Sequence, residues 1–256
     1  LADAGLLQRL IGPRDRYGLI EDAAAAASHF TRPPYLYVLT ARGASLITLP
    51  AGRKIRDLLA ARIRTLRPAT LAHELTLNDV RILVTLHMAG APGWELVAWH
   101  DTRAAYDAYL DRGKSQVLSP DAYVHLRVDD QDLAVFIEVD RGTEALSRIG
   151  EKLAAYRRYT RSKRFEARYG LRKFRVAFVT TQTPIRAANL VSEAGRLAPG
   201  LVWATTRHQL LAAADLFTEP IWLRAGQPQP VPFWTAGAAT PLDTDSVATA
   251  TIEPAP

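Results

Sequence analysis

The sequence predicts an α/β (α+β) protein with a mixed central sheet of about five strands flanked by helices. Segments of strand length alternate with segments of helical periodicity, and the centre of the chain has the order helix, three strands, helix, strand, helix, strand. A meander followed by a crossover to a further strand implies a mixed sheet with helices on both faces. The chain has 256 residues, of which 48% are hydrophobic and 23% charged, which is enough for a sizeable core.

The N-terminal domain, residues 1–50, predicts a β-hairpin. Leu7–Leu10 is one short strand, a loop rich in Gly, Pro, Arg and Ala spans 11–34, and the β-rich run Tyr35–Thr40 is the other strand. Strand, basic loop, strand and then "LTARG" is the order found in the wing of a winged helix-turn-helix, here truncated because its recognition helix would precede Leu1. A plain hairpin without a role in DNA binding is the alternative. The first residue is Leu, so we expect further sequence before it.

An amphipathic linker helix over residues 51–69 is predicted next, ended by Pro68. Residues 70–224 then carry the α/β domain, and the Pro/Ala/Thr-rich stretch 225–256 predicts a disordered tail. The elements predicted within the domain are a helix capped by Thr70 and ended by Gly90, a strand at Trp94–Trp99, a lid or short helix at His100–Lys114, strands at 124–128 and 133–140, a helix from Thr143 to Arg161, a strand at Phe174–Thr180, a helix at Ile185–Leu197, a strand at Leu201–Thr205 and a helix at His208–Asp215.

Composition excludes several classes of protein. Without cysteine there is no disulfide scaffold, thiolate zinc site or cysteine nucleophile. The histidines lack zinc-binding spacing, and neither GxxxxGK[ST] nor GxSxG occurs. No apolar run approaches the ~20 residues of a membrane helix, and no signal peptide is visible. We therefore expect a cytoplasmic protein that has no membrane partner.

Clustered positive charge points to nucleic acid. The net charge is +6, and between Arg157 and Arg175 nine cationic residues accompany a single acid, Glu166. Such a stripe suits a phosphate backbone, although a solvated helix face is the simpler alternative. The candidate DNA-binding residues are Arg14, Arg16, Arg141, Arg157, Arg158, Arg161, Lys163 and Arg164.

Three acids form the candidate catalytic centre. Asp121 directly precedes one strand of a predicted hairpin, and Glu138 and Asp140 end the other strand. Residues two apart on a strand point to the same face, so Glu138 and Asp140 lie together and repel unless a cation offsets them. A bound Mg²⁺ could do this, since hard cations take carboxylate oxygens. The alternative is a salt bridge without metal, from Arg141, Arg148 or Lys152.

At this point the sequence resembles a known family. "PDAYVHL", an apolar strand and "FIEVDRGTEALSRIGEKLAAYRRY" resemble the replication-relaxation family of plasmid, phage and conjugative-element proteins, and "LTARG" supports the match from another region. The resemblance covers roughly residues 1–215. It implies a winged helix-turn-helix joined to a domain similar to the PD-(D/E)xK nuclease fold, with DNA and plasmid replication or mobilisation proteins as partners.

The nuclease motif implied by the resemblance can be placed residue by residue. Asp121 matches the first acid and Glu138 the second, but Asp140 stands where the motif has lysine. The candidate ligands of Mg²⁺ are Asp121, Glu138 and Asp140. Some superfamily members carry that lysine on the following helix, which makes Lys152 the candidate. Glu74 matches an additional acid on the preceding helix, and the alternatives near it are His73 and Asp79.

Two functions remain open: a Mg²⁺-dependent DNA nuclease, and a DNA-binding accessory protein that uses the fold as a scaffold. The position of the Lys152 amine relative to Glu138 and Asp140 discriminates between them. The oligomeric state is not predicted.

Overall fold

The computed structural model describes residues 7–10, 36–39 and 68–235. The chain divides into two compact units, Leu1–Leu75 and Thr76–Pro256, which are described separately. No helix within the described ranges is long and apolar enough to cross a membrane.

In the first unit, β1 (Leu7–Leu10) pairs antiparallel with β2 (Leu36–Leu39), with Leu7 opposite Leu39. This confirms the predicted strand pairing, while its assignment to a winged helix stays a prediction. Arg14, Arg16, residues 40–43 of the "LTARG" segment and most of the linker helix lie outside the described residues. Helix α1 (Pro68–Gly90) begins at the proline that was expected to end the linker helix. Proline suits the first turn because the N–H that it lacks would have no intrahelical partner there.

In the described part of the second unit, six strands form a mixed sheet in the order β10 (Leu223–Arg224), β9 (Val202–Thr206), β8 (Arg175–Thr180), β7 (Gln131–Asp140), β6 (Ala122–Val128) and β3 (Trp94–Asp101). Strands β3, β6 and β7 are antiparallel neighbours, and β8 and β9 extend the sheet parallel to β7. The predicted fold class is therefore confirmed. The elements after α1 are β3 (Trp94–Asp101), α2 (Thr102–Ala105), β4 (Asp107–Asp111), β5 (Lys114–Leu118), β6 (Ala122–Val128), β7 (Gln131–Asp140), α3 (Leu146–Arg161), α4 (Arg164–Tyr169), β8 (Arg175–Thr180), α5 (Pro184–Leu197), β9 (Val202–Thr206), α6 (Arg207–Ala212) and β10 (Leu223–Arg224).

Strand β7 is buried on both faces, and its alternation separates two apolar layers. Phe136 faces α3, α4 and α5, where aromatic side chains such as Tyr156 and Phe174 surround it. Ile137 and Val139 face the opposite layer with α1 and α6, as the strand parity predicted. Glu138 and Asp140 share the face of Phe136, so both acids enter the α3–α5 layer.

Three local predictions need correction. The segment His100–Lys114, predicted as a lid or short helix, contains the short helix α2. After α2 the chain forms a hairpin, β4 with β5, turned by Arg112 and Gly113, both at positive φ as a two-residue type I′ turn requires. Helix α3 begins at Leu146 after Ala145 rather than at Thr143. The first part of the predicted disordered tail packs into the core, because Phe233 and Trp234 are buried there and Val231 pairs with Trp222. Residues 236–256 lie outside the description.

Candidate functional site

A buried carboxylate lies at the centre of the candidate site. Glu138 is 1% exposed on β7, between strands β6 and β8. Lys152 Nζ donates to Glu138 Oε2 at 2.7 Å, and Tyr156 Oη donates to Oε1 at 2.5 Å. Lys152 and Tyr156 are one helical turn apart on α3, so the helix presents both side chains to the same point of the sheet. The lysine predicted on this helix therefore contacts Glu138.

Asp121 joins this centre from the neighbouring strand. Ala122 lies opposite Ile137, so Asp121, one residue earlier, comes beside the end of β7. The Val139 backbone N–H donates to Asp121 Oδ2 at 2.8 Å, and Thr102 Oγ1 donates to the Asp121 carbonyl at 2.8 Å. These bonds fix Asp121 at the mouth of the β6–β7 hairpin, half-buried and next to Glu138.

Burial governs the protonation of Glu138. Loss of solvation, with the Asp121 charge acting in the same direction, raises the pKa of Glu138 to about 7, and the bonds from Lys152 and Tyr156 only partly offset this. Burial alone would lower the pKa of Lys152, but its attraction to Glu138 outweighs that effect and holds the pKa above its ordinary value. The pair is therefore a cation next to an acid that titrates near neutral pH.

Asp140 has a different partner from the ones expected. Its two carboxylate oxygens accept from Arg186 at 2.8 and 3.0 Å, and Thr180 Oγ1 donates to Oδ2 at 2.8 Å. Burial would raise the pKa of Asp140, but these bonds lower it. Asp140 thus lies on the same face as Glu138 but belongs to a separate ion pair. The cation that pairs with Asp140 is Arg186, on α5, which the sequence did not suggest, whereas Lys152, one of the three suggested cations, pairs with Glu138.

The remaining predicted acids and metal ligands are distributed as follows. Glu74 and His73 lie half-buried on α1 in the first unit, and their role stays a prediction. Asp79 forms an ion pair with Arg207 at 2.6 Å. Among the described residues, no group of three or more His, Cys, Asp or Glu side chains is arranged to hold a metal ion. Asp121 and Glu138 are thus the two candidate ligands that the fold brings together.

The described candidate DNA-binding residues and Arg175 differ in their exposure and in their partners. Arg157, Arg158, Arg161 and Lys163 are exposed along the C-terminal end of α3 and just beyond it. Arg164 is committed to Asp107, to which it donates two hydrogen bonds at 2.9 and 3.0 Å. Arg175 was wrongly included in the stripe, because it is buried and stacks over Trp203 at 4.5 Å. Arg141 is half-buried in the loop after β7.

These observations define a mixed α/β protein with a Glu–Lys–Tyr centre, formed by Glu138, Lys152 and Tyr156. The helix that supplies the lysine and the tyrosine also carries exposed arginines at its C-terminal end. A model of the replication-relaxation family matches residues 1–173, more than half of the chain. The chain therefore belongs to the replication-relaxation family, which confirms the resemblance drawn from its motifs and suggests a role in plasmid replication or mobilisation. Comparison with curated proteins and with solved structures found no match.

Proposed function

We propose that the protein binds DNA during plasmid replication or mobilisation and cleaves a phosphodiester bond at Asp121, Glu138 and Lys152 with the help of Mg²⁺. The observation that carries this proposal is the 2.7 Å contact between the Lys152 amine and Glu138. The nuclease motif has a lysine at the position of Asp140, and Lys152 would supply that missing cation from helix α3. Asp121, one strand away, completes the pair of acids.

The donor chemistry of the site fits a hard cation. Asp121 and Glu138 offer carboxylate oxygens, and an ionised carboxylate carries about four lone-pair sites. Mg²⁺ is commonly held by one or two carboxylates together with water and substrate phosphate, so two acids suffice. Asp140 fits less well because Arg186 occupies both of its oxygens. We therefore assign Asp140 a positioning role, in which it fixes α5 against the end of β7.

Each residue has a defined part in the proposed reaction. In it, water forms a bond to phosphorus, the bond from phosphorus to a sugar oxygen breaks, and the proton lost by the water ends on that sugar oxygen. Bound Mg²⁺ would supply charge neutralisation on the phosphate. Lys152, 34% exposed at its side chain, can approach a phosphate oxygen while it stays next to Glu138, and its charge would stabilise the developing negative charge. Tyr156 holds Glu138 in place from the buried side.

The exposed cations of α3 support the DNA-binding part of the proposal. Helix α3 carries Lys152 at the site and Arg157, Arg158 and Arg161 further along. With a rise of about 1.5 Å per residue, Arg161 lies roughly 14 Å along the helix from Lys152, a distance that several phosphates of one strand can span. A strand held by these arginines would therefore contact the same helix that carries Lys152.

A second candidate function is DNA binding without catalysis. Two observations favour it: Glu138 is 1% exposed, and both of its oxygens already accept hydrogen bonds. In that case the Glu–Lys–Tyr centre would stabilise the scaffold only.

A plasmid-nicking assay with the full chain in Mg²⁺ tests the proposal. Glu138→Gln is expected to abolish nicking, and Lys152→Met to slow it by at least about 100-fold, the usual cost of removing one charge-stabilising group. Glu151→Gln, an exposed neighbour on the same helix, is the matched control and should nick like the unchanged protein. Nicking that persists in Glu138→Gln would place the activity elsewhere, and no nicking in any sample would favour the second candidate.

Binding is measured separately as affinity against salt concentration. Replacing Arg157, Arg158 and Arg161 by Gln should flatten the log–log slope by about 0.9 for each phosphate that is no longer neutralised. Arg196→Gln, an exposed arginine of α5, serves as the control. An unchanged slope in the triple variant would show that this end of α3 is only a solvated face.

A further inference from the structure

Two arginines lie together on the face of the sheet opposite Glu138. Arg175 begins β8 and is 5% exposed, and Arg224 ends β10 and is partly exposed. Arg175 points to the same side of β8 as Ala177, which belongs to the apolar layer that packs on α1 and α6. The sheet therefore separates this pair of arginines from the Glu–Lys–Tyr centre.

Trp203 of β9 brings the two guanidinium groups together. In the sheet it lies opposite Arg224 on one side and opposite Ala177 on the other. The guanidinium carbon of Arg175 is 4.5 Å from the centre of the Trp203 ring, and that of Arg224 is 4.9 Å from it. Since both distances are measured to the same ring, the two cations lie within reach of one small ligand.

Within the described residues, neither arginine has an acid as a partner. Arg175 donates from Nη1 to the carbonyl of Phe233, but its Nε is buried without a hydrogen-bond partner, and so is the Nε of Arg224. A guanidinium carries five N–H donors, and the aromatic rings around Arg175 attract its charge without accepting strong hydrogen bonds. Because buried charges in proteins are normally paired, this arrangement calls for an anion.

The protonation of the two arginines agrees with this reading. Burial lowers the pKa of Arg175 to about 10, and the like charge of Arg224 acts in the same direction. Burial also lowers the pKa of Arg224. Arg186 shows the opposite behaviour, because its hydrogen bonds to Asp140 raise its pKa. The pair formed by Arg175 and Arg224 thus lacks the negative charge that Arg186 has.

We propose that Arg175 and Arg224 form a binding site for a phosphate group. Two guanidinium groups supply both the charge and the forked N–H donors with which arginine binds phosphate. Arg224, as the partly exposed member, provides the approach from solvent. The phosphate is either a free ion or nucleotide or the end of a DNA strand, since the chemistry of recognition is the same. The site does not depend on the proposed cleavage, because it lies across the sheet from Glu138.

Urea unfolding of the full chain in increasing inorganic phosphate, with chloride keeping the ionic strength constant, tests the proposal. A ligand that binds only the folded state raises the unfolding midpoint as its concentration increases, so the midpoint of the unchanged protein should rise. Arg224→Gln should weaken the phosphate affinity by about tenfold, the loss expected when one charged hydrogen-bond partner is removed. Arg172→Gln, exposed and close in sequence to Arg175, is the matched control and should respond to phosphate like the unchanged protein.

A second variant separates charge from geometry. Arg175→Lys keeps the positive charge but loses the fork, so it should also weaken the phosphate affinity. Because Arg175 is buried, Arg224→Gln at a partly exposed position keeps the test valid if Arg175→Lys fails to fold. An unfolding midpoint that does not respond to phosphate in the unchanged protein, or that responds equally in Arg224→Gln, would overturn the proposal.

Two further measurements identify the source of the anion. Tighter binding of a short duplex that carries a 5′-phosphate, lost in Arg224→Gln, would assign the site to DNA ends, whereas equal binding of duplexes with and without it would assign the site to free phosphate or a nucleotide. The chain also offers carboxylates of its own, Asp243 and Asp245, which lie outside the described residues. A phosphate response that appears only after both are changed to Asn would show that these acids occupy the site, and would overturn the proposal.

Discussion

Two buried carboxylates, Glu138 and Asp107, each accept a hydrogen bond from a tyrosine of α3. They differ in their charged partners and in the direction in which their pKa is shifted. Tyr156 donates to Glu138, and Tyr159, three residues later on α3, donates to Asp107. Burial raises the pKa of Glu138 to about 7. Burial acts on Asp107 in the same direction, but hydrogen bonds led by that of Arg164 outweigh it and lower the pKa.

The number and geometry of the cations explain the difference. Asp107 accepts a two-bond guanidinium fork and has a second arginine nearby, so its charge is fully compensated. Glu138 has one ammonium and, on the other side, the like charge of Asp121. Asp107 is therefore suited to hold a hairpin permanently, whereas Glu138 can exchange a proton or a partner near neutral pH. Glu138 is therefore the carboxylate suited to chemistry, and Asp107 the one suited to mechanical support.

The largest expected effect comes from breaking the compensated site. Asp107→Ala leaves Tyr159, Arg164 and Arg168 without their shared acceptor, and removing one member of a buried ion pair costs about 3–5 kcal/mol. Because the side chain of Arg164 is 41% exposed and can rehydrate, we expect a loss at the lower end, about 3 kcal/mol, in urea unfolding. Asp111→Ala, on the same hairpin, is the control and should change stability by less than about 0.5 kcal/mol. A loss as small as that of the control would show that Asp107 is not the anchor.

The next effect depends on pH and concerns Glu138. Its folded pKa of about 7 lies above the ordinary 4.5, so between these values the folded state binds the extra proton and stability falls as pH rises. Glu138→Gln removes this titration. The variant should therefore gain stability relative to the unchanged protein from pH 4.5 to pH 7, by up to about 3 kcal/mol. Urea unfolding at several pH values measures the difference, and a difference that does not vary with pH would contradict the raised pKa.

Much of the fold followed from the sequence because periodicity and parity are local properties. The alternation along β7 correctly separated Ile137 and Val139 from Glu138 and Asp140. Hairpin β4–β5 was missed because its strands are short and its turn, Arg112-Gly113, lacks the Asn or Asp usual at such turns. The packing of Phe233 was hidden in a stretch whose average composition resembles a disordered tail.

The sequence could predict those site residues that lie on one helix. It could not predict the contacts between residues that are far apart along the chain. Lys152 and Tyr156 are four residues apart, a spacing that already placed them on one face, and a role for Tyr156 could have been inferred from it. Arg186 reaches Asp140 across 46 residues, and only the crossover to a parallel strand brings its helix there. The one available signal was Thr180, since the ends of adjacent parallel strands meet at the same edge of a sheet.

The smallest effect sharpens the comparison most directly, because the same change is made twice on α3. Tyr156→Phe and Tyr159→Phe each remove one hydroxyl that donates to a buried acid, and each should cost about 1.5–3 kcal/mol while that acid is charged. Asp107 has its lowered pKa and stays charged from pH 5 to 8, so the loss in Tyr159→Phe should be constant over that range. Glu138 becomes protonated below about pH 7, so the loss in Tyr156→Phe should shrink toward pH 5 as the acceptor loses its charge. Urea unfolding of both variants at pH 5 and pH 8 measures this, and parallel behaviour of the two would mean that the two carboxylates do not differ as described.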